Sequence, residues 1–172
     1  MKTVLLLRHG KSGWGDASLD DHDRPLAPRG IAAAGLIGRL LRERGWTPDQ
    51  ILCSSARRTQ ETYAEMRAGF GDGAPDARIE PDLYLASAET LINRIVAQPD
   101  SAASVMIIGH NDGMHICARR LVGAAEPIDL SKLESGFPTA GLAVITFQVQ
   151  RWSDLQEGAG RLLALVFPRE ID

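Results

Sequence analysis

Cysteine is nearly absent: Cys53 and Cys117 are the only two in 172 residues, far apart and in no CxxC pair. That argues against a disulfide framework or a thiolate metal site, and both thiols are expected to be buried and reduced. An excess of basic charge is also missing. The net charge of −3 and pI near 5.8 supply no overall field toward nucleic acid or an acidic membrane surface. Nowhere does an apolar run approach the roughly 18 residues of a membrane span. The N-terminal apolar segment, Thr3 to Leu7, is too short for a secretory leader, runs into Arg8-His9 and lacks a small-residue cleavage site. A cytoplasmic location is therefore expected. Internal repeats, low-complexity tracts and linkers are lacking too, so one domain over residues 1–172 is expected. His9, His22, His110 and His115 show no HxH or HExxH spacing. Asp21-His22-Asp23 reads as a solvated charged loop rather than a metal site, and neither a metal nor a cofactor is expected.

What is present is a core-forming chain, 44% apolar. Thr3 to Leu7 reads as a buried strand that stops at Arg8-His9-Gly10, followed by a loop, Lys11 to Asp16. Asp20 to Gly30, with two prolines and dense charge, is expected to be irregular and to lead into a helix near Pro28 or Arg29. Ala33, Leu36, Ile37, Leu40 and Leu41 recur at helical spacing up to Arg44, and Gly45 stops that helix. Ile51 to Cys53 is a second strand, and Ser54 at its end can cap a helix from about Ala56 to Ala68. A short strand near Arg78 to Glu80, a helix from Glu89 to Val96 and the buried strand Ser104 to Ile108 follow. Beyond Gly109-His110-Asn111 comes a helix carrying Met114, Ile116, Cys117 and Leu121. Gly123 to Pro138 reads as irregular, with a short helix around Leu130 to Leu133. Gly141 to Val149 and Arg161 to Phe167 fit a closing antiparallel pair of strands. This alternation argues for a layered α/β fold with a mostly parallel sheet.

Three of these strands end in Arg8-His9, in Ser54 with Arg58 beyond it, and in Gly109-His110. If they are parallel neighbours, two histidines and two arginines converge at one sheet edge, where open α/β sheets bind ligands. A neutral imidazole is a nucleophile toward phosphorus, and arginines supply bidentate donors to the oxygens of a transferring phosphoryl group. Nearby cations lower the pKa of His9 and keep it ready for attack. None of this requires a metal.

Leu7-Arg8-His9-Gly10, Ser54-x-x-x-Arg58-x-x-x-Thr62 and Gly109-His110-Asn111 together resemble the histidine phosphatase superfamily, with the phosphoglycerate mutase-like fold. Arg8 to Ser12, the Asp23-Arg24-Pro25-Leu26 loop and the short chain are most similar to its SixA-type phosphohistidine phosphatase branch. The resemblance implies a three-layer α/β/α sandwich. It also implies that His9 becomes a transient phosphohistidine and that Arg8, Arg58 and His110 bind the phosphoryl group. The spacing from Ser54 selects Arg58 over Arg57, which a helix turns to another face. Ser12 and Lys11 either line the phosphate approach or sit on the loop surface. Arg24 either reaches substrate or pairs with Asp21 or Asp23; Asn111 either orients the site or caps the next helix. His115, on a mostly apolar helix, reads as structural.

Two departures from the family pattern stand out. Trp14 is followed by Gly15, where mutases and many phosphomonoesterases carry Trp-Asn. Glu80-Pro81-Asp82-Leu83-Tyr84 shows no clear counterpart of the family's glutamate acid. Glu80, Asp82 and Asp21 remain as acid candidates. A missing acid favours a phosphoramidate such as phosphohistidine, with a signalling protein as its carrier, or a phosphate ester with a good leaving group. The expected function is thus a metal-independent phosphatase acting through His9 and releasing inorganic phosphate. A small-molecule phosphomonoesterase and a non-catalytic phosphate-recognition module are the alternatives. The short chain also implies an open, shallow pocket.

Overall fold

The computed structural model describes residues 1–13 and 16–170. Its strands are β1 (Lys2–Arg8), β2 (Gln50–Ser54), β3 (Ala77–Glu80), β4 (Ser104–Gly109), β5 (Val122–Ala124), β6 (Leu142–Phe147) and β7 (Gly160–Val166). Its α-helices are α1 (Pro28–Arg44), α2 (Arg57–Phe70), α3 (Ala88–Val96), α4 (Gly113–Leu121) and α5 (Pro127–Ser135). The strands form one sheet in the order β3-β2-β4-β1-β6-β7-β5. β3, β2, β4 and β1 run parallel, while β6 is antiparallel to β1 and β7 antiparallel to β6.

The strand sequences show why this sheet is covered on both faces. Val4 to Leu7 and Val105 to Ile108 are apolar without interruption and almost wholly buried, as in strands packed on each side. Successive residues feed opposite layers. Leu5, Leu7, Met106 and Ile108 pack with Ile37 and Leu41 of α1 and Met66 and Phe70 of α2. Val4, Leu6, Val105 and Ile107 pack with Leu91 and Ile95 of α3, Met114 and Leu121 of α4 and Leu133 of α5. The result is a three-layer α/β/α sandwich. Cys53 belongs to the first layer and Cys117 to the second, so the sheet separates the two thiols. Burial pushes both up to about 12, which leaves them unreactive. No helix among the described residues is long and apolar enough to cross a membrane.

Pro28 opens α1, and Gly45, at φ +69°, closes it in the left-handed conformation that glycine adopts without strain. Four local expectations need correction. The buried stripe of α1 is Gly30, Ala34, Ile37, Gly38 and Leu41, whereas Ala33, Leu36 and Leu40 are only half-buried. Two glycines carry part of that stripe, and a reading of apolar side chains passes over them. The charged loop holds one 3₁₀ turn, Asp21–Asp23. Ala56, not Ser54, occupies the N-cap of α2, with no side-chain cap. Finally, Gly123 to Pro138 is less irregular than expected: β5 pairs with β7, and α5 spans nine residues. A three-residue edge strand with a central glycine leaves little periodic signal.

Candidate active site

The register of the central strands builds the site. Arg8 lies opposite Gly109 in the β1–β4 pair, and the amide of His9 donates to the carbonyl of Gly109 at 3.0 Å. His9 and His110 therefore leave the sheet side by side, with ring centroids 5.3 Å apart. β2 flanks β4 on its other side, and Ser54 at its end meets His110, Oγ to Nε2, at 2.7 Å. This is the carboxyl edge of the parallel strands.

His9 is held by its own backbone. Its Nδ1 lies 2.7 Å from the carbonyl oxygen of Gly10. A carbonyl only accepts, so Nδ1 carries the hydrogen and Nε2 keeps its lone pair. The Gly10 turn is clamped in place. Its amide donates to Thr62 Oγ1 at 3.0 Å, and that hydroxyl donates to the carbonyl of Arg58 at 2.7 Å. Gly10 and Gly30 also touch backbone to backbone: a Cβ on Gly10 would stand 2.8 Å from the Gly30 oxygen, and one on Gly30 2.2 Å from the Lys11 oxygen. Only glycine permits that approach at both positions.

Cations surround the imidazoles. Arg8, His9, Lys11, Ser12, Arg24, Arg58, Leu85, His110, Asn111 and Thr139 line an open pocket of about 290 Å³. Arg58 is 4% exposed and donates to Asp21 through both terminal nitrogens: to its carbonyl at 2.7 Å and to Oδ2 at 3.0 Å. Arg24 pairs with Asp21 Oδ1 at 2.9 Å and also donates to Ser12 Oγ. Tyr84 donates its hydroxyl to Asp21 Oδ2 and packs edge-on against both His22 and His110. Arg8 donates one terminal nitrogen to the carbonyl of Phe137, and Asn111 Nδ2 donates to the same oxygen. Among the described residues, two buried nitrogens of the pocket residues, Arg8 Nε and His110 Nδ1, have no hydrogen-bond partner.

Burial first, then Arg58, Arg8 and Arg24, bring the pKa of His9 down to about 4, against the opposing bond to Gly10. Burial, then His9 and Arg58, bring His110 down to about 3. Both rings are neutral at pH 7, which suits a nucleophile. Both pKa values are depressed from 6.5, so the stabilisation they give is complete above pH 6.5 and is lost as pH falls toward 4. Urea unfolding at pH 7 and pH 5 is expected to show a clear loss of stability at the lower pH. A His9→Gln, His110→Gln double variant should show a flatter pH dependence than the wild type. Equal slopes would mean that the rings do not titrate as their burial requires.

The structure brings together Arg8, His9, Ser12, Arg24, Arg58, His110 and Asn111, with Asp21 behind the arginines. Asn111 bonds Phe137 instead of capping α4. Arg57 points out and pairs with Glu61. His115 meets the carbonyl of Leu133, as expected of a structural ring. Glu80 and Asp82 do not border the pocket; both are drawn into ion pairs with Arg94 of α3, at 2.9 and 2.7 Å. Asp21 lies closer, and its carboxyl is held at about 2, by the Tyr84 hydroxyl above all and then by Arg58 and Arg24, which favours its ionised form. Trp14 and Gly15 lie outside the described residues. The sequence reading missed Leu85, Thr139 and the role of Tyr84. Leu85 and Ala140, beside Thr139, are the non-glycine residues with positive φ, at +51° and +58° among the described residues. Such strained backbone marks functional rims, yet nothing in the sequence signals it. Among the described residues no group of three or more His, Cys, Asp or Glu side chains is arranged to hold a metal ion.

Comparisons with known proteins agree with this geometry. The sequence model of the histidine phosphatase superfamily (branch 1) matches residues 4–84. An uncharacterised protein of Mycobacterium tuberculosis is 35% identical over 95% of this chain and 100% of its own length. A crystal structure from Agrobacterium tumefaciens, assigned as the phosphohistidine phosphatase SixA, is 34% identical, covers 97% of this chain and 98% of its own, and superposes with a TM-score of 0.81. One from Nakamurella multipartitia with the same assignment is 27% identical over 97% and 96%, again at 0.81. The chain belongs to the histidine phosphatase superfamily and is a phosphatase.

Proposed function

We propose that this phosphatase works without a metal through a phosphohistidine intermediate on His9, and that its substrate is phosphohistidine on a protein. The bond from His9 Nδ1–H to the Gly10 carbonyl carries this reading, because it leaves the Nε2 lone pair for the pocket. Nε2 attacks the phosphorus while Arg8, Arg58 and His110 take up charge on the peripheral oxygens. The bond from phosphorus to the substrate's imidazole nitrogen breaks, and its electron pair stays on that nitrogen. Phosphorylated His9 then carries a positive ring that the Gly10 carbonyl stabilises through Nδ1–H. In the second half, a water oxygen attacks phosphorus, the P–Nε2 bond returns its electrons to His9, and the water's protons leave with phosphate and solvent.

The leaving group decides the substrate class. Asp21 is ionised, and Glu80 and Asp82 are engaged with Arg94. Among the described residues no carboxylic acid is placed to protonate an alkoxide, whereas an imidazole already protonated on its far nitrogen leaves as a neutral molecule. The open pocket admits a side chain presented on a protein surface, and the assignments of the similar structures point the same way.

The test compares phosphate release from a histidine-phosphorylated protein and from p-nitrophenyl phosphate, both with EDTA present. A kcat/KM for the phosphoprotein well above that for the ester is expected. A preference for free sugar or nucleotide phosphates would make this a small-molecule phosphomonoesterase. Activity lost in EDTA and restored by a divalent cation would overturn the metal-independent mechanism.

A further inference from the structure

An apolar groove of about 360 Å³ adjoins the phosphate pocket, sharing Lys11 and Thr139 with it. Its floor is Leu36 of α1, Pro138 and Phe167. Its rim is cationic: Lys11, Arg29 and Arg169 stand around it. Among the described residues none of these three has a carboxylate within 4 Å, although the chain as a whole is acidic. The groove also lies at the N-terminal end of α1, whose first turn contains no acidic residue. The positive end of the helix dipole therefore adds to the three side chains.

We infer that this groove docks a segment of the phosphorylated protein beside its phosphohistidine, a segment with an apolar anchor and acidic neighbours. This rests on the reading of a protein substrate. The apolar floor takes the anchor, and Arg29 and Arg169 take its carboxylates. Continuity through Lys11 and Thr139 places the docked segment next to the residue whose phosphoryl group enters the pocket. A small phosphate ester fills only the phosphate pocket and gains nothing from the groove.

Two synthetic peptides, chemically phosphorylated on a single histidine, test the inference. One carries Leu and Glu residues beside the phosphohistidine, and the other carries Ser and Lys at the same positions. The wild type is expected to favour the acidic peptide in kcat/KM by about tenfold at low salt, and less at high salt. An Arg29→Glu, Arg169→Glu double variant should lose that preference while p-nitrophenyl phosphate turnover stays unchanged. In parallel, fluorescence anisotropy measures binding of the unphosphorylated acidic peptide to both proteins. No preference between the peptides, or a preference that survives the double variant, overturns the docking site. Failure to hydrolyse either peptide, with the acidic one still bound through Arg29 and Arg169, overturns the phosphohistidine reading and leaves the groove standing. Failure of binding as well removes both.

Discussion

His9→Ala is expected to lower turnover of a histidine-phosphorylated protein by about 10⁴-fold or more, because on the proposed mechanism the variant lacks the atom that forms the new bond to phosphorus. Its affinity for inorganic phosphate changes far less, since Arg8, Arg58 and His110 remain. Rapid acid-free quenching of wild type with labelled substrate should trap label on one histidine, and sequencing of the labelled peptide should place it at His9. The same experiment on His9→Ala should yield unlabelled protein. Label on His110 instead would exchange the roles of the two rings. That exchange is disfavoured by the Ser54 hydroxyl, which occupies Nε2 of His110, whereas the His9 ring is engaged through Nδ1. The variant is expected to fold, because His9 is tied to the sheet through its backbone amide and carbonyl.

The second large effect separates two adjacent arginines. Arg58→Ala removes both guanidinium contacts from the interior of the site and should lower kcat/KM by roughly 10²- to 10³-fold. Arg57→Ala breaks one exposed pair with Glu61 and should stay within about twofold of wild type. Arg58→Lys keeps the charge but not the planar fork, so it should recover only part of the loss. Arg58→Ala carries an additional signature. Asp21 loses one of the partners that hold its carboxyl near 2, so its pKa should rise toward the ordinary value, a shift visible by NMR titration. Similar activities for Arg57→Ala and Arg58→Ala would remove Arg58 from the phosphoryl site.

The strands were the most legible part of the sequence, because Val4 to Leu7 and Val105 to Ile108 are uninterrupted apolar runs that suit only a covered sheet. The placement of Arg8, His9 and His110 follows from those runs, since the charged residues stand where they end. Arg58 was legible through its spacing from Ser54. The contribution of Ser54 was misread, because a serine before a helix suggests a cap, and only the folded sheet brings His110 within reach of its hydroxyl. Glu80 and Asp82 looked available as acids because Arg94, their partner, lies on the next helix and is joined to them only by tertiary packing. Tyr84 was passed over for the opposite reason: its hydroxyl acts through Asp21, distant in sequence. The cationic groove was hidden as well. Its members come from both ends of the chain, and Leu36 looked like core until Gly30 and Gly38 turned the buried face of α1 away from it.

The position of β1 between β4 and β6 has a consequence for how the protein is made. β1 is translated well before its hydrogen-bonded neighbours, which begin at residues 104 and 142. Throughout most of synthesis a very apolar strand waits without an edge to join, which is the condition that recruits chaperones and invites aggregation. His9 is translated about a hundred residues before His110, the ring beside it, and no truncated chain ending before His110 holds the pair. Phosphatase activity thus arrives late and all at once, when the last central strands close on the first.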